Sequence, residues 1–213
     1  MNESTHSSYS AKFLSEVESA MKKIKTDSAQ KLSEAIDLLY QAWKEDRWVY
    51  IMGNGGSAST ATHLAADLAK TIRAKPEDKG IKALALVDNI PLVSALTNDW
   101  GRENIYQNQL STFYVEGGVG IGISVHGGSG RDRAGKWSQN LLAGLQYIKD
   151  RGGKTIGLSG FDGGAMHDLA DISIVIPAES TPIVEGLHVV IHHLLVFGLA
   201  EKIHEHRKKS SIS

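Results

Sequence analysis

Residues 48–58 read Trp-Val-Tyr-Ile-Met-Gly-Asn-Gly-Gly-Ser-Ala. Trp48 to Met52 form a short apolar run, Gly53-Asn54-Gly55-Gly56-Ser57 a glycine-rich turn, and a helical stretch begins at Ala58. A buried strand that runs through glycines into a helix is the basic unit of an α/β fold. Working outward, the pattern recurs: strands are expected at Lys82–Val87, Val119–Ser124, Thr155–Ser159 and Ile172–Ile176. Helices are expected to begin near Ala58, Pro91, Ser138 and Gly164, with a last one from about Thr181 to His204. Strands alternating with helices predict a central five-stranded parallel sheet covered on both faces, a three-layer α/β sandwich.

Upstream, two helical stripes precede the sheet: Phe13, Leu14, Val17, Met21 and Ile24, then Leu32, Ile36, Leu39 and Trp43. Asp27 followed by Gln30 reads as a cap between them. The first ten residues are polar and read as a short flexible lead. No internal boundary or repeat is visible, so 1–213 reads as one domain, with N-terminal helices over 1–47 and an α/β core over 48–204. The two leading helices need a surface to cover, on the domain or on another subunit.

Composition narrows the function. The 23 Lys and Arg against 24 Asp and Glu leave a net charge of −1, so bulk electrostatics draw the chain neither to nucleic acid nor to an anionic membrane. The longest apolar run, Ile183 to Ala200, is interrupted by Glu185, His188, His192 and His193 and reads as a buried helix. The chain has no cysteine, which excludes disulfides, thiolate nucleophiles and Cys-type zinc sites and suits a cytoplasmic protein. Its 22 glycines exceed the usual ~7% and gather at 53–56, 117–135 and 152–164, where backbone is expected to approach a ligand closely.

In a parallel sheet ligands bind beyond the carboxyl ends of the strands. The 53–57 turn there offers unpaired N–H groups, the Ser57 hydroxyl and a helix dipole, a setting for a phosphate. Gly53-x-Gly55-x-x-Ala58 also fits a loose dinucleotide fingerprint, but Asp88, the nearest acidic residue for a ribose, comes too late in the chain. A second anion loop follows the third strand, from Ser124 through the glycines to Arg131, Arg133, Lys136 and Ser138. Two helices carry candidate ligands. His63 and Asp67 are four apart on one face, and Glu185, His188 and His192 share another, with His192 about 20° and His193 about 80° from Glu185. Carboxylates with imidazoles suit zinc, and equally general acid–base chemistry.

Taken in order, Gly53-Asn54-Gly55-Gly56-Ser57, His63 with Asp67, Thr97-Asn98-Asp99, Ser159-Gly160-x-Asp162-Gly163-Gly164 and Glu185 through His193 resemble the phosphoheptose isomerases of the sugar isomerase (SIS) fold. The resemblance spans nearly the whole chain. It implies a homotetramer with active sites between subunits, zinc as cofactor, and aldose–ketose isomerisation of sedoheptulose 7-phosphate to a heptose 7-phosphate through an enediol.

Carried over position by position, the resemblance implies His63, Asp67, Glu185 and His193 as metal ligands, choosing His193 where helical geometry favours His192. Asp67 or His193 would be the base. Asn54, Gly55, Gly56, Ser57, Asp99, Ser124 and Ser138 would bind substrate. Five departures stand out. Asp67 replaces Glu, shortening the reach by roughly 1.5 Å, and Glu185 replaces Gln, adding a negative charge. Pro182 and Thr71 stand where the family has Asp and Arg. The second anion loop has about nine extra residues, whose Arg131 and Arg133 are expected to grip a more anionic or differently shaped sugar phosphate, or to close as a lid. The alternative is a non-catalytic SIS protein, a phosphosugar sensor or an adaptor of the replication-initiator-associating kind.

Overall fold

The computed structural model describes residues 3–128 and 137–210. Five strands, β1 (Trp48–Gly53), β2 (Lys82–Ala85), β3 (Val119–Ile123), β4 (Lys154–Gly160) and β5 (Ile172–Ile176), form one parallel sheet in the order β2-β1-β3-β4-β5. Val49 pairs with Ala83 on one side and Val119 on the other. The strands are apolar on both faces because both are covered, and the period of two sorts them. Val49, Ile51, Ile121 and Ile123 enter one core cluster, while Tyr50 and Met52 enter another.

The first face carries α1 (Glu3–Asp27), α2 (Ala29–Lys44), α3 (Gly56–Lys70) and α8 (Thr181–Ser210); the second carries α4 (Ile90–Trp100), α5 (Ile105–Phe113), α6 (Gln139–Lys149) and α7 (Gly164–Leu169). The two leading helices cover the domain itself: Ala20, Ile24, Ala35 and Leu39 are at most 3% exposed. Helix α8 is long and apolar enough to cross a membrane by length and composition. Its Ile183, Val184, Leu187, Ile191, Leu195 and Leu199 are nevertheless packed into the core, at most 3% exposed.

Four expectations change. Helix α1 starts at Glu3, so residues 3–10 continue the helix; nothing in them breaks it, with neither Gly nor Pro before Asp27. Leu14 of the first stripe is 65% exposed. The residue capping α2 is Ser28, which makes no side-chain cap hydrogen bond, while Asp27 accepts one from Thr26. Helix α5 was not anticipated. Its buried Ile105, Tyr106, Gln109 and Leu110 keep helical spacing, but polar residues fill every other position up to the exposed Phe113 and no side chain caps its start.

Candidate active site

β1 leads through α3 to β2 on one side, while β3 lies on the other. The chain thus changes direction between β1 and β3, where crevices open in such sheets. A cleft of about 1160 Å³ lies there, lined by Asn54, Gly55 and Ser57 after β1, by Ser124, Val125 and His126 after β3, and by Ser138 and Asn140 at the start of α6. Thr181 and Glu185 close it from α8, and Arg102 and Glu103 from a short 3-10 turn after α4.

The two loops are braced against each other. Asn54 Nδ2 donates to Asn140 Oδ1 and Asn140 Nδ2 donates to Asn54 Oδ1, each at 2.9 Å. The buried Tyr106 hydroxyl donates to the Gly53 carbonyl and lies 3.4 Å from Asn54 Oδ1. Burial pushes the Tyr106 phenol up to about 12, so it remains a donor at neutral pH. Gly55 turns the chain with φ +57°, a conformation glycine takes at little cost. Ser138 holds φ +52°, unfavourable for a residue with a Cβ. It sets its hydroxyl 3.2 Å from that of Ser124, so two hydroxyls meet at the N-terminus of α6.

Helices α3 and α8 run side by side in the same direction. A methyl group built on Gly56 would lie 2.6 Å from Glu185 Oε1, and seven residues further along each helix the His63 ring meets that of His192, centroids 4.5 Å apart. Around Asp67 Oδ2 stand His192 Nε2 at 3.3 Å, His63 Nε2 at 3.5 Å and His193 Nε2 at 3.7 Å. One donor atom from each of the four residues lies within 4.8 Å of the others. Asp67 Oδ1 accepts a 2.8 Å hydrogen bond from Thr71.

Burial raises the Asp67 carboxyl, but hydrogen bonds from Thr71 and His192 and the charge of His63 outweigh it and hold the group below the usual carboxylate range. Burial and the neighbouring His193 push His192 down to about 4, so its imidazole is neutral at pH 7, the form that binds metal. His192 Nδ1 is buried with no partner among the described residues. Three imidazoles and a carboxylate converging on one point are a donor set for a borderline divalent metal such as zinc.

The expected ligands therefore separate. His63, Asp67 and His193 come together, and His192 joins them; both histidines fit because the His63 ring lies against each, with centroids 4.5 Å and 5.0 Å away. Glu185 lies outside that group, in the cleft over the first turn of α3, two helical turns or about 10 Å along the axis from His192. Its carboxylate covers the helix end expected to receive phosphate, where a second anion would be repelled. Asp99 is exposed on α4, accepts a hydrogen bond from Asn98, and is absent from the cleft lining. Arg131 and Arg133 lie outside the described residues. Sequence reasoning missed Arg102 and Glu103, which line the cleft, and gave no role to His126 and Trp137 of the second anion loop, which line it too; Gly101, just after Thr97-Asn98-Asp99, was the available hint of a turn.

Residues 12–160 match the SIS domain family. The lincomycin biosynthesis protein LmbN of Streptomyces lincolnensis is 43% identical over 162 residues, 74% of this chain; this chain spans 58% of that protein's length. The phosphoheptose isomerase of Aliarcobacter butzleri is 34% identical over 183 residues, 86% of this chain and 90% of that protein. Among solved structures, the phosphoheptose isomerase from Francisella tularensis superposes with a TM-score of 0.82 at 21% identity, over 94% of this chain and 100% of the other.

Proposed function

The chain belongs to the SIS domain family and, within it, to the phosphoheptose isomerases, and from that premise we propose that it interconverts sedoheptulose 7-phosphate and an aldoheptose 7-phosphate. The observation that carries this reading is the cleft at the β1/β3 switch point, lined by the Ser124 and Ser138 hydroxyls beside the start of α6 and by the Glu185 carboxylate of α8. The relatives named phosphoheptose isomerase give no support to the non-catalytic adaptor reading.

The phosphate is held by the Ser124 and Ser138 hydroxyls and the first amides of α6, donors matched to its oxygens. Gly55 and Ser57 meet the sugar, and Asn54 sets the spacing of the two loops through Asn140. Gly56 gives room to Glu185. His63, Asp67, His192 and His193 would hold zinc, which would supply Lewis-acid stabilisation of negative charge on oxygen. Asp67, surrounded by three imidazoles and Thr71, is committed to that role, which makes it a poor carrier of substrate protons.

Self-association as a homotetramer belongs to the same proposal. Val190, Leu194 and Phe197 of α8, 43%, 41% and 59% exposed, form a stripe at helical spacing beside the half-exposed His193, and a second copy would cover it. A cytoplasmic setting suits a charged sugar phosphate as substrate.

The test is to incubate the chain with sedoheptulose 7-phosphate and zinc and to separate ketose from aldose phosphates. The proposal expects an aldoheptose phosphate to accumulate to equilibrium. No product, with tight binding of the ketose retained, would return the chain to the sensor class.

A further inference from the structure

We propose that Arg102 is the residue that selects a phosphorylated substrate, its guanidinium meeting the phosphate held by Ser124, Ser138 and the first amides of α6. The inference rests on the isomerase reading above and deepens its phosphate site with a cation that the phosphate-binding positions carried over from the family do not supply.

Gly101 ends α4 with φ +88°, a conformation that favours glycine, and turns the chain into the single 3-10 turn Arg102–Asn104, which packs against α6. Four residues after Arg102, the Tyr106 hydroxyl lies 3.4 Å from Asn54 Oδ1, and Asn54 Nδ2 lies 3.5 Å from Ser138 Oγ. One amide side chain therefore spans the gap between Tyr106 and the phosphate hydroxyls. Burial raises the Tyr106 phenol, and the Gly53 hydrogen bond and the Arg102 charge oppose it, so the guanidinium is within electrostatic reach of these polar groups. Arg102 lines the same cleft as Ser124 and Ser138, and among the described lining residues it is the only Lys or Arg.

The Arg102 side chain is also uncommitted. It makes no hydrogen bond or ion pair among the described residues. Glu103 does not neutralise it, because adjacent residues on a helical turn point apart and the Glu103 carboxylate lies over Gly101, where a Cβ would meet its Oε1 at 2.7 Å. Charge then decides the role. The cleft holds the carboxylates of Glu103 and Glu185, and a phosphate monoester brings a further charge of about −1.5 to −2 at pH 7. Serine hydroxyls and backbone amides carry no net charge, so they accept the hydroxyl-rich end of an unphosphorylated sugar as readily. A guanidinium is always charged and its fork matches two phosphate oxygens at once. It offsets the repulsion from the two carboxylates and favours the phosphorylated end over the bare one. Arg102 is exposed, so a ligand can reach it and its substitution leaves the core intact.

The experiment compares the full chain with Arg102→Ala, Arg102→Gln and Arg102→Lys, measuring kcat and KM with sedoheptulose 7-phosphate and titrating each protein with inorganic phosphate by calorimetry. Arg102→Ala and Arg102→Gln are expected to raise both KM and the phosphate Kd about tenfold, as loss of a charge-assisted hydrogen bond does. Their kcat should stay within about threefold of the parent, because the contact is made equally before and during the reaction. Arg102→Lys keeps the charge without the fork and should recover part of both losses. A rise of less than about fivefold in KM or in the phosphate Kd of Arg102→Ala would make Arg102 a solvated surface residue, and a fall in kcat at unchanged KM would place it at the reacting carbons; either overturns the proposal. A parent chain that binds phosphate but does not turn over this ketose contradicts the isomerase reading instead, and the phosphate titrations of the variants still decide the role of Arg102. A parent chain that binds no phosphate overturns both.

Discussion

Asn54 and Asn140 face each other head to tail, each amide donating to the other's carbonyl at 2.9 Å. They are 86 residues apart and belong to the two loops that form the cleft, so one amide pair sets the distance between the β1 turn and the N-terminus of α6. Asn140 is 2% exposed, and a buried amide left without its partner costs about 1–3 kcal/mol. Replacing Asn140 by Leu is therefore expected to lower stability by that amount and to raise KM several-fold as Ser138 loses its register with Ser57. Denaturant unfolding and steady-state kinetics check both; an unchanged KM would mean that the pair only fastens the fold.

His188 gives the chain an acid-sensitive core. Burial pushes its imidazole down to about 4, partly offset by the hydrogen bond to the Ser159 carbonyl. The folded state therefore holds His188 neutral, while the unfolded state protonates it below about 6.5. Stability is full above that pH and falls as the pH drops from about 6.5 to about 4, by on the order of 3 kcal/mol from this residue. Asp67, with its carboxyl held low, loses its contribution only below the ordinary carboxylate range. Unfolding measured from pH 7 to 4 should show this slope, and His188→Gln should roughly halve it, because His192, also pushed down to about 4, titrates in the same window.

Zinc bound at His63, Asp67, His192 and His193 should stabilise the fold by linkage. At a free concentration about a hundredfold above Kd the gain is about 2.7 kcal/mol, equivalent to a rise in Tm of about 5–10 °C for a chain of this size. Thermal scans with zinc and after chelation measure it. A shift that survives His63→Ala and Asp67→Asn together would place the ion elsewhere.

The stripe Val190, Leu194 and Phe197 predicts assembly. Phe197→Glu places a charge where a second copy would pack, at a residue 59% exposed in the single chain, so folding should be unaffected while the assembly dissociates. Light scattering after size exclusion gives the mass; a parent chain that is already monomeric removes the idea.

The sheet was readable because five apolar runs, each followed by a helical stretch, leave one architecture open. The two loops that line the cleft were readable from the glycines that follow β1 and β3. The ligand cluster was half readable. Spacing on one helix favoured His192 and family resemblance favoured His193, and both are present because the His63 ring of the second helix lies against each. Glu185 was grouped with the ligands because the family resemblance puts a ligand at its position. Only the register of α3 against α8 shows that it faces Gly56, two turns away. Arg102 and Glu103 gave no periodic signal, since a single turn after Gly101 brings them to the cleft.

The most direct measurement is an NMR time course of the zinc-loaded chain with sedoheptulose 7-phosphate in heavy water. An aldoheptose phosphate carrying deuterium at C2, with exchange at C1 of the remaining ketose, is the expected result, because the proton removed to form the enediol exchanges with solvent before it is returned. Formation of neither aldose nor exchanged ketose would contradict the assignment of this cleft as a sugar-phosphate isomerase site.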